Sequence, residues 1–373
     1  MLQIFPLGIA LGGAFCNREH ERKLLKNNIK NGRHTWLMAP RRYGKTSLIL
    51  QTCSELGHEK KKVYSQSIDL LLVHDMDSVF QHLSKLVSHL MRESVPGQQR
   101  LLEAINSYFN SLRPELRVTS HGMELMLSPD KKEPESLVDM LLSLDRFAAD
   151  KKLRFVVILD EFQQLASLKN HLAIEAAFRH AVERASHITY LFAGSYQHLL
   201  RQMFEDPKRP LYHLCEKMEL ARIQQQDYIP FLDDAARLNW GKILSPDAIE
   251  RIMRITQRHP YYVNMLCGRL WQDKKLPTPQ EIDSAWNAYL QAETHRLAQQ
   301  LVGLSPNQRA LLKALANDPV AQPRSREYLM KTRLASASAG QALQVLLEKD
   351  LIYRPDELYR VLDPALEQFI RDR

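Results

Sequence analysis

Residues His34–Ser47 read HTWLMAPRRYGKTS, and no other stretch restricts the fold as much. A short apolar strand runs into a tight basic loop, and Gly44-Lys45-Thr46 then opens a helix that Ser47-Leu48-Ile49-Leu50 continues. Backbone N–H groups of such a turn line a concavity, and the helix N-terminus adds its partial positive charge, so the element suits phosphate. In this pattern Gly44 lets the backbone come close, Lys45 reaches the β- and γ-phosphate oxygens, and Thr46 offers its hydroxyl to Mg²⁺. The usual G-x-x-x-x-G-K-[ST] pattern has glycine where this chain has Ala39, followed by Pro40. Alanine fits there if the position does not need a positive φ. The candidate phosphate contacts are Pro40, Arg41, Arg42, Tyr43, Gly44, Lys45, Thr46 and Ser47.

A second motif stands where such a loop needs a partner. Phe155-Val156-Val157-Ile158-Leu159 is a continuous apolar, β-branched run, the signature of a strand buried on both faces of a parallel sheet. It ends in Asp160-Glu161, at the strand end where α/β sheets bind ligands. Asp160, with Thr46, is the candidate Mg²⁺ ligand, and Glu161 the candidate base for the water that attacks a γ-phosphate. The implied ligand is ATP with Mg²⁺, and the implied activity is its hydrolysis.

A third strand signal, Thr189–Ala193, ends in Gly194-Ser195. Ser195 can hydrogen-bond the attacking water or the phosphate; it can equally cap the following helix. Further expectations are strands at Val63–Leu70 and Lys217–Leu220 and an amphipathic helix at Asp77–Met91. The 115 residues from Lys45 to Asp160 exceed one strand–helix–strand unit and require an insertion. Gln98–Leu112 reads as its helix, and Leu116–Leu127 as a hairpin around His121-Gly122.

Composition sets wide bounds. The chain has 373 residues and a net charge of +8, a mild excess that allows a polyanionic partner without demanding one. Cys16, Cys53, Cys215 and Cys267 form no C-x-x-C pair and read as reduced thiols of a cytoplasmic protein. The apolar start MLQIFPLGIALGGAFC lacks a leading Lys or Arg and is interrupted by Pro6 and glycines. It fits neither a secretory signal nor a membrane span, and no membrane role is expected.

With these strand ends in place, the chain resembles the archaeal-type ATPases, a STAND-group branch of the AAA+ P-loop NTPases. The resemblance rests on Phe15-Cys16-Asn17-Arg18-Glu19-His20-Glu21 ahead of the loop, Asp160-Glu161-Phe162-Gln163, Phe192-Ala193-Gly194-Ser195, Pro210-Leu211-Tyr212 and His259-Pro260-Tyr261-Tyr262. It implies an α/β P-loop NTPase core of three αβα layers with a parallel sheet, then a helical lid and a winged helix. It also implies that Pro260 and Tyr261 pack on an adenine base, with Phe15 and Asn17 on its other side. Two departures stand out. His213-Leu214 replaces the family's Gly-Arg after P-L-Y, and Gln257-Arg258 replace glycines before H-P. The missing arginine is the family's candidate γ-phosphate sensor; Arg209, Lys217 and Arg258 are the cations that could replace it.

The expected domains are a core at 1–222 with an insertion at about 95–132, a helical lid at 223–298, and a winged helix at 299–373. Lid helices are expected at Gln224–Trp240, Ser245–Thr256, Pro260–Asp273 and Thr278–Arg296. The winged helix is read from helices starting at Ser305-Pro306, at Arg326–Lys331 and at Ser336–Lys349, two strands within Tyr353–Leu362, and a helix from Pro364. Residues 300–373 carry 11 Lys/Arg against 9 Asp/Glu, a weak excess for a phosphate-tracking surface. Gln341 and Gln344 on the third helix, and Arg324, Arg326, Lys331 and Arg333 beside it, leave DNA contact open. A protein partner or self-association is equally open. Three functions follow: an ATP-driven switch with slow turnover, a DNA-acting ATPase resembling origin-recognition ATPases, and a nucleotide-bound scaffold without turnover.

Overall fold

The computed structural model describes residues 4–59, 62–109, 112–119, 122–129 and 133–373, which form two compact units. One unit, the core, comprises Glu19–Arg41 and Lys45–Leu220. The other, mostly helical, comprises Met1–Arg18, Arg42–Gly44 and Ala221–Arg373.

The core strands are β1 (Thr35–Met38), β2 (Val63–Asp69), β3 (Leu112–Thr119), β4 (Gly122–Pro129), β5 (Arg154–Asp160), β6 (Ile188–Gly194) and β7 (Glu216–Glu219). Five of them form a parallel sheet in the order β2-β5-β6-β1-β7. The core helices are α1 (Glu19–Lys30), α2 (Lys45–Gly57), α3 (Met76–Ser94), α4 (Gln98–Tyr108), α5 (Pro134–Asp150), α6 (His171–Arg184) and α7 (Gln197–Glu205). Phe155, Val157 and Leu159 of β5 join side chains of α3, α5 and α6 in one apolar cluster. Val156 and Ile158 are as deeply buried on the opposite face. There Thr189, the register partner of Val156, donates to the Ile29 carbonyl of α1. Helices on both faces make the three-layer αβα core, and they explain why β5 reads as an unbroken apolar run rather than an alternating one. Each such side chain contributes about 1.5–3 kcal/mol by leaving water.

Where the sequence suggests an insertion, the structure has α4 and the antiparallel pair β3–β4, whose register ends at Thr119↔Gly122. The expected turn residue His121 lies outside the described residues, as do 110–111, 120 and 130–132 within the insertion's neighbourhood. Helix α4 stops at Tyr108, four residues short of the expected end.

In the helical unit come α8 (Gln225–Trp240), α9 (Pro246–Ile255), α10 (Pro260–Leu270), α11 (Pro279–Ala292) and α12 (Thr294–Leu301). Then follow α13 (Pro306–Asn317), α14 (Arg326–Thr332), α15 (Ser336–Glu348), the strand pair β8 (Ile352–Tyr353) and β9 (Arg360–Val361), and α16 (Pro364–Arg371). Ser245, Thr278 and Ser305 cap helices that each carry proline in the first turn, where its missing N–H costs nothing. The expected single helix Thr278–Arg296 is two. Glu293 leaves helical geometry between α11 and α12, and the Thr294 hydroxyl bonds back to the Leu290 carbonyl. Phe5 of the apolar N-terminal segment is buried edge-on against Phe231 and Trp271. Among the described residues no helix is long and apolar enough to cross a membrane.

Candidate functional site

Strand β6 lies between β1, which feeds the candidate phosphate loop, and β5, which ends in the acid pair. Met38 pairs with Gly194, so Ser195 leaves the sheet beside the start of the loop. Helix α2 begins at Lys45, whose ammonium is buried. It lies 2.6 Å from Asp160 Oδ1 and 3.3 Å from Glu161 Oε1. The Thr46 hydroxyl donates to Asp160 Oδ2 at 2.7 Å. Ser195 Oγ and Gln163 Nε2 donate to Glu161 Oε2 at 2.9 and 2.6 Å. Lys45, Thr46, Asp160, Glu161 and Ser195 therefore form one constellation, with Gln163 as a member whose role sequence reasoning missed, although D-E-F-Q contains it.

Two backbone features make this arrangement. Glu161 is left-handed, at φ 53° and ψ 38°, which turns its carboxylate back over the strand end. A Cβ on Gly194 would lie 1.9 Å from Gln163 Oε1 and 2.7 Å from Leu200 Cδ1, so a side chain there would displace the amide that steadies Glu161. Burial pushes the Glu161 carboxyl up, but the Lys45 charge and the Gln163 and Ser195 donors outweigh it, and its pKa lies below the ordinary 4.5. The Glu161 carboxylate is thus ionised at neutral pH. A hydroxyl and a carboxylate set side by side, beneath a helix N-terminus, are the hard oxygen donors that Mg²⁺ takes in phosphate sites. Gly44 at φ 86° supplies the left-handed turn before them. The residues present fit Mg²⁺ with a phosphate ligand.

The other candidates belong to the helical unit. Tyr43 is 1% exposed. Its ring meets the His259 ring edge-on at 4.8 Å, its carbonyl accepts from Arg18 at 2.8 Å, and its hydroxyl accepts from Arg222 at 3.0 Å. The expectation of a Tyr43 ligand contact therefore narrows to its backbone N–H, because the side chain is an anchor. Arg42 is exposed and stacks over Tyr261 at 4.1 Å. Asn17 donates to Asp227 at 2.9 Å, Phe15 is half-buried, and Pro260 occupies the first turn of α10. In the core, Pro40 and Ser47 are buried and Arg41 is exposed, its guanidinium 5.2 Å from the Tyr196 ring.

The cations that could replace the family's arginine are engaged elsewhere. Arg209 makes a two-pronged ion pair with Glu175, which is fully buried. Lys217 pairs with Glu205 at 2.7 Å, and Arg258 donates to Gln224. The glycine replacements keep glycine's conformation: His213, Gln257 and Arg258 have φ of 51°, 48° and 60°. Arg222 and Gln257 carry contacts that nothing in their local sequence announces.

Residues 296–372 match the family described as "Probable winged helix domain". No curated protein matches the chain. Among solved structures it is similar to the Walker-type ATPase of Pyrococcus abyssi, with 18% identity, a TM-score of 0.70 and 99% of each chain covered. It is also similar to the ORC2 protein of Aeropyrum pernix in its ADPNP–ADP complexes, with 15% identity, a TM-score of 0.59, and 100% of this chain and 97% of that one covered. At these identities the likeness is one of fold. The chain shares the fold of the Walker-type ATPase and ORC proteins it resembles: a three-layer αβα core on a parallel sheet, a run of helices, and a C-terminal stretch that matches a winged helix.

Proposed function

We propose that this protein is an ATP-dependent molecular switch of the AAA+/STAND type that binds ATP with Mg²⁺ and hydrolyses it slowly. The observation that carries the reading is the convergence of Lys45, Thr46, Asp160, Glu161 and Ser195 at the end of β5 and β6. Lys45 exchanges its carboxylate partners for the β- and γ-phosphates, and the loop N–H groups with the α2 N-terminus hold the remaining phosphate charge. Thr46 and Asp160 hold Mg²⁺, which supplies charge neutralisation on the phosphates when bound. Glu161, held by Ser195 and Gln163, orients the attacking water and takes its proton. Because the family's arginine is absent and Arg209, Lys217 and Arg258 are engaged, transition-state charge has fewer counter-charges, which supports slow turnover. Pro260 and Tyr261 are assigned to the base, with Phe15 and Asn17, as the resemblance implies. ATP and ADP are the small-molecule partners, and the nucleotide state is relayed to the lid and winged helix.

Single-turnover hydrolysis of Mg·ATP tests this. Glu161→Gln should retain binding and slow hydrolysis by about 100-fold or more. Binding without turnover in the unsubstituted protein would favour the scaffold reading instead.

A second reading, a DNA-acting ATPase, is favoured by one observation. Arg326 and Arg333 are exposed on and just after α14, next to Arg324, which donates to Ser336 at the start of α15. Lys331, by contrast, pairs with Asp318. This reading predicts salt-dependent duplex binding that weakens when Arg324, Arg326 and Arg333 are neutralised. A partner protein at the same module would leave duplex binding absent at low salt.

A further inference from the structure

We propose that Arg222 is a positioning residue that ties the phosphate loop to the winged helix. The proposal rests on the reading of Pro40–Ser47 as a nucleotide cradle and names the residue through which that cradle is regulated. Arg222 stands two residues past the core, ahead of α8. Its guanidinium spends four contacts on three separated segments. Nε donates to the Tyr43 hydroxyl at 3.0 Å; Nη1 donates to the Gln257 carbonyl at 3.0 Å and its side-chain oxygen at 2.8 Å; Nη2 donates to the Leu362 carbonyl at 2.8 Å. The same guanidinium lies 5.1 Å from the Tyr353 ring of β8.

Each segment is itself fixed. Tyr43 is held on three sides by Arg18, Arg222 and His259. Leu362 immediately precedes Asp363, the cap of α16, and Asp363 accepts from the Tyr262 hydroxyl at 2.6 Å. Gln257 donates to Glu367 of α16 at 2.9 Å. Gln257 adopts a left-handed backbone where glycine would be unstrained, and its side chain is what joins Arg222 to Glu367. The strain is matched by contacts a glycine cannot make. A planar guanidinium presents its N–H groups in a rigid fork, so the plane that satisfies Leu362 and Gln257 also sets where the Tyr43 hydroxyl must lie. Tyr43 is too buried to move alone, and moving it moves its own N–H group and that of Gly44, which the proposed function assigns to the cradle. Undocking α16 therefore loosens the loop, and shifting the loop loosens α16.

The full-length protein supplies two readouts. First, backbone hydrogen exchange is compared in Tyr43→Phe and the unsubstituted protein, without nucleotide. Exchange should rise about tenfold in Pro364–Arg371 and stay unchanged in β5. Second, Mg·ADP affinity is measured for the Asp363→Asn, Glu367→Gln pair with Arg222 intact and with Arg222→Met. The pair should weaken affinity about tenfold with Arg222 present and leave it unchanged in Arg222→Met, and Arg222→Lys should not restore the coupling. Equal effects in both backgrounds, rescue by lysine, or unchanged exchange in Tyr43→Phe would each overturn the proposal. If the unsubstituted protein binds no nucleotide, the cradle reading fails, and the exchange comparison alone decides whether Arg222 couples Tyr43 to α16.

Discussion

Ser195, the residue just past β6, donates its hydroxyl to Glu161 Oε2 over 2.9 Å. In the proposed mechanism that bond aims Glu161 rather than holding nucleotide. Ser195→Ala should leave Mg·ATP affinity within about twofold and slow single-turnover hydrolysis about tenfold, the rate equivalent of one hydrogen bond. Gly194→Ala should slow it further, by roughly 100-fold, because its methyl group displaces the Gln163 amide as well. A loss of affinity equal to the loss of rate would reassign Ser195 to binding.

Arg209 is a fold residue. Its partner Glu175 is fully buried, so removing the guanidinium strands a carboxylate out of water. Arg209→Ala should cost about 3–5 kcal/mol in urea unfolding. A stable Arg209→Ala protein with selectively slowed hydrolysis would return this arginine to the chemistry.

Acid should destabilise the protein first through histidines. Burial, with Arg222 and Arg42 nearby, holds His259 well below 6.5, against a smaller upward pull from its own backbone bond; the rings of Tyr43 and Tyr262 face it. Burial also lowers His34, partly offset by the Val182 carbonyl and Asp145. Unfolded histidines take up protons as pH falls through about 6.5 while these two stay neutral, so stability falls with pH from there downward. Glu161 has a folded pKa below 4.5, so its contribution is lost only at lower pH. The fall in Tm from pH 7 to 5.5 should therefore be smaller in His259→Phe. Equal slopes would mean that His259 is not buried neutral.

The candidate site is legible in the sequence where it is local. The strand–loop–helix around Gly44 and the run ending in Asp160-Glu161 are contiguous, and their geometry follows from buried parallel strands and a helix start. The winged helix was legible from its capping residues, Ser305 with Gln308 among them. Helices α5 and α6 escaped because their long apolar faces sit in a stretch defined only by its length between motifs. In the sequence alone Tyr43 reads as a ligand contact, because its burial depends on His259 and Arg222, some 180 to 220 residues away. Arg222 left no trace in the sequence for the same reason: its meaning lies in the convergence of Tyr43, Gln257 and Leu362.

Titration calorimetry with Mg·ATP on the unsubstituted protein and on Lys45→Ala tests the central claim most directly. The expected result is saturable binding that Lys45→Ala weakens by about 100-fold, roughly 2.7 kcal/mol, with the Tm showing that the variant is folded. Equal affinity in the two proteins, or no binding in the unsubstituted one, would contradict the assignment of Pro40–Ser47 as a nucleotide site.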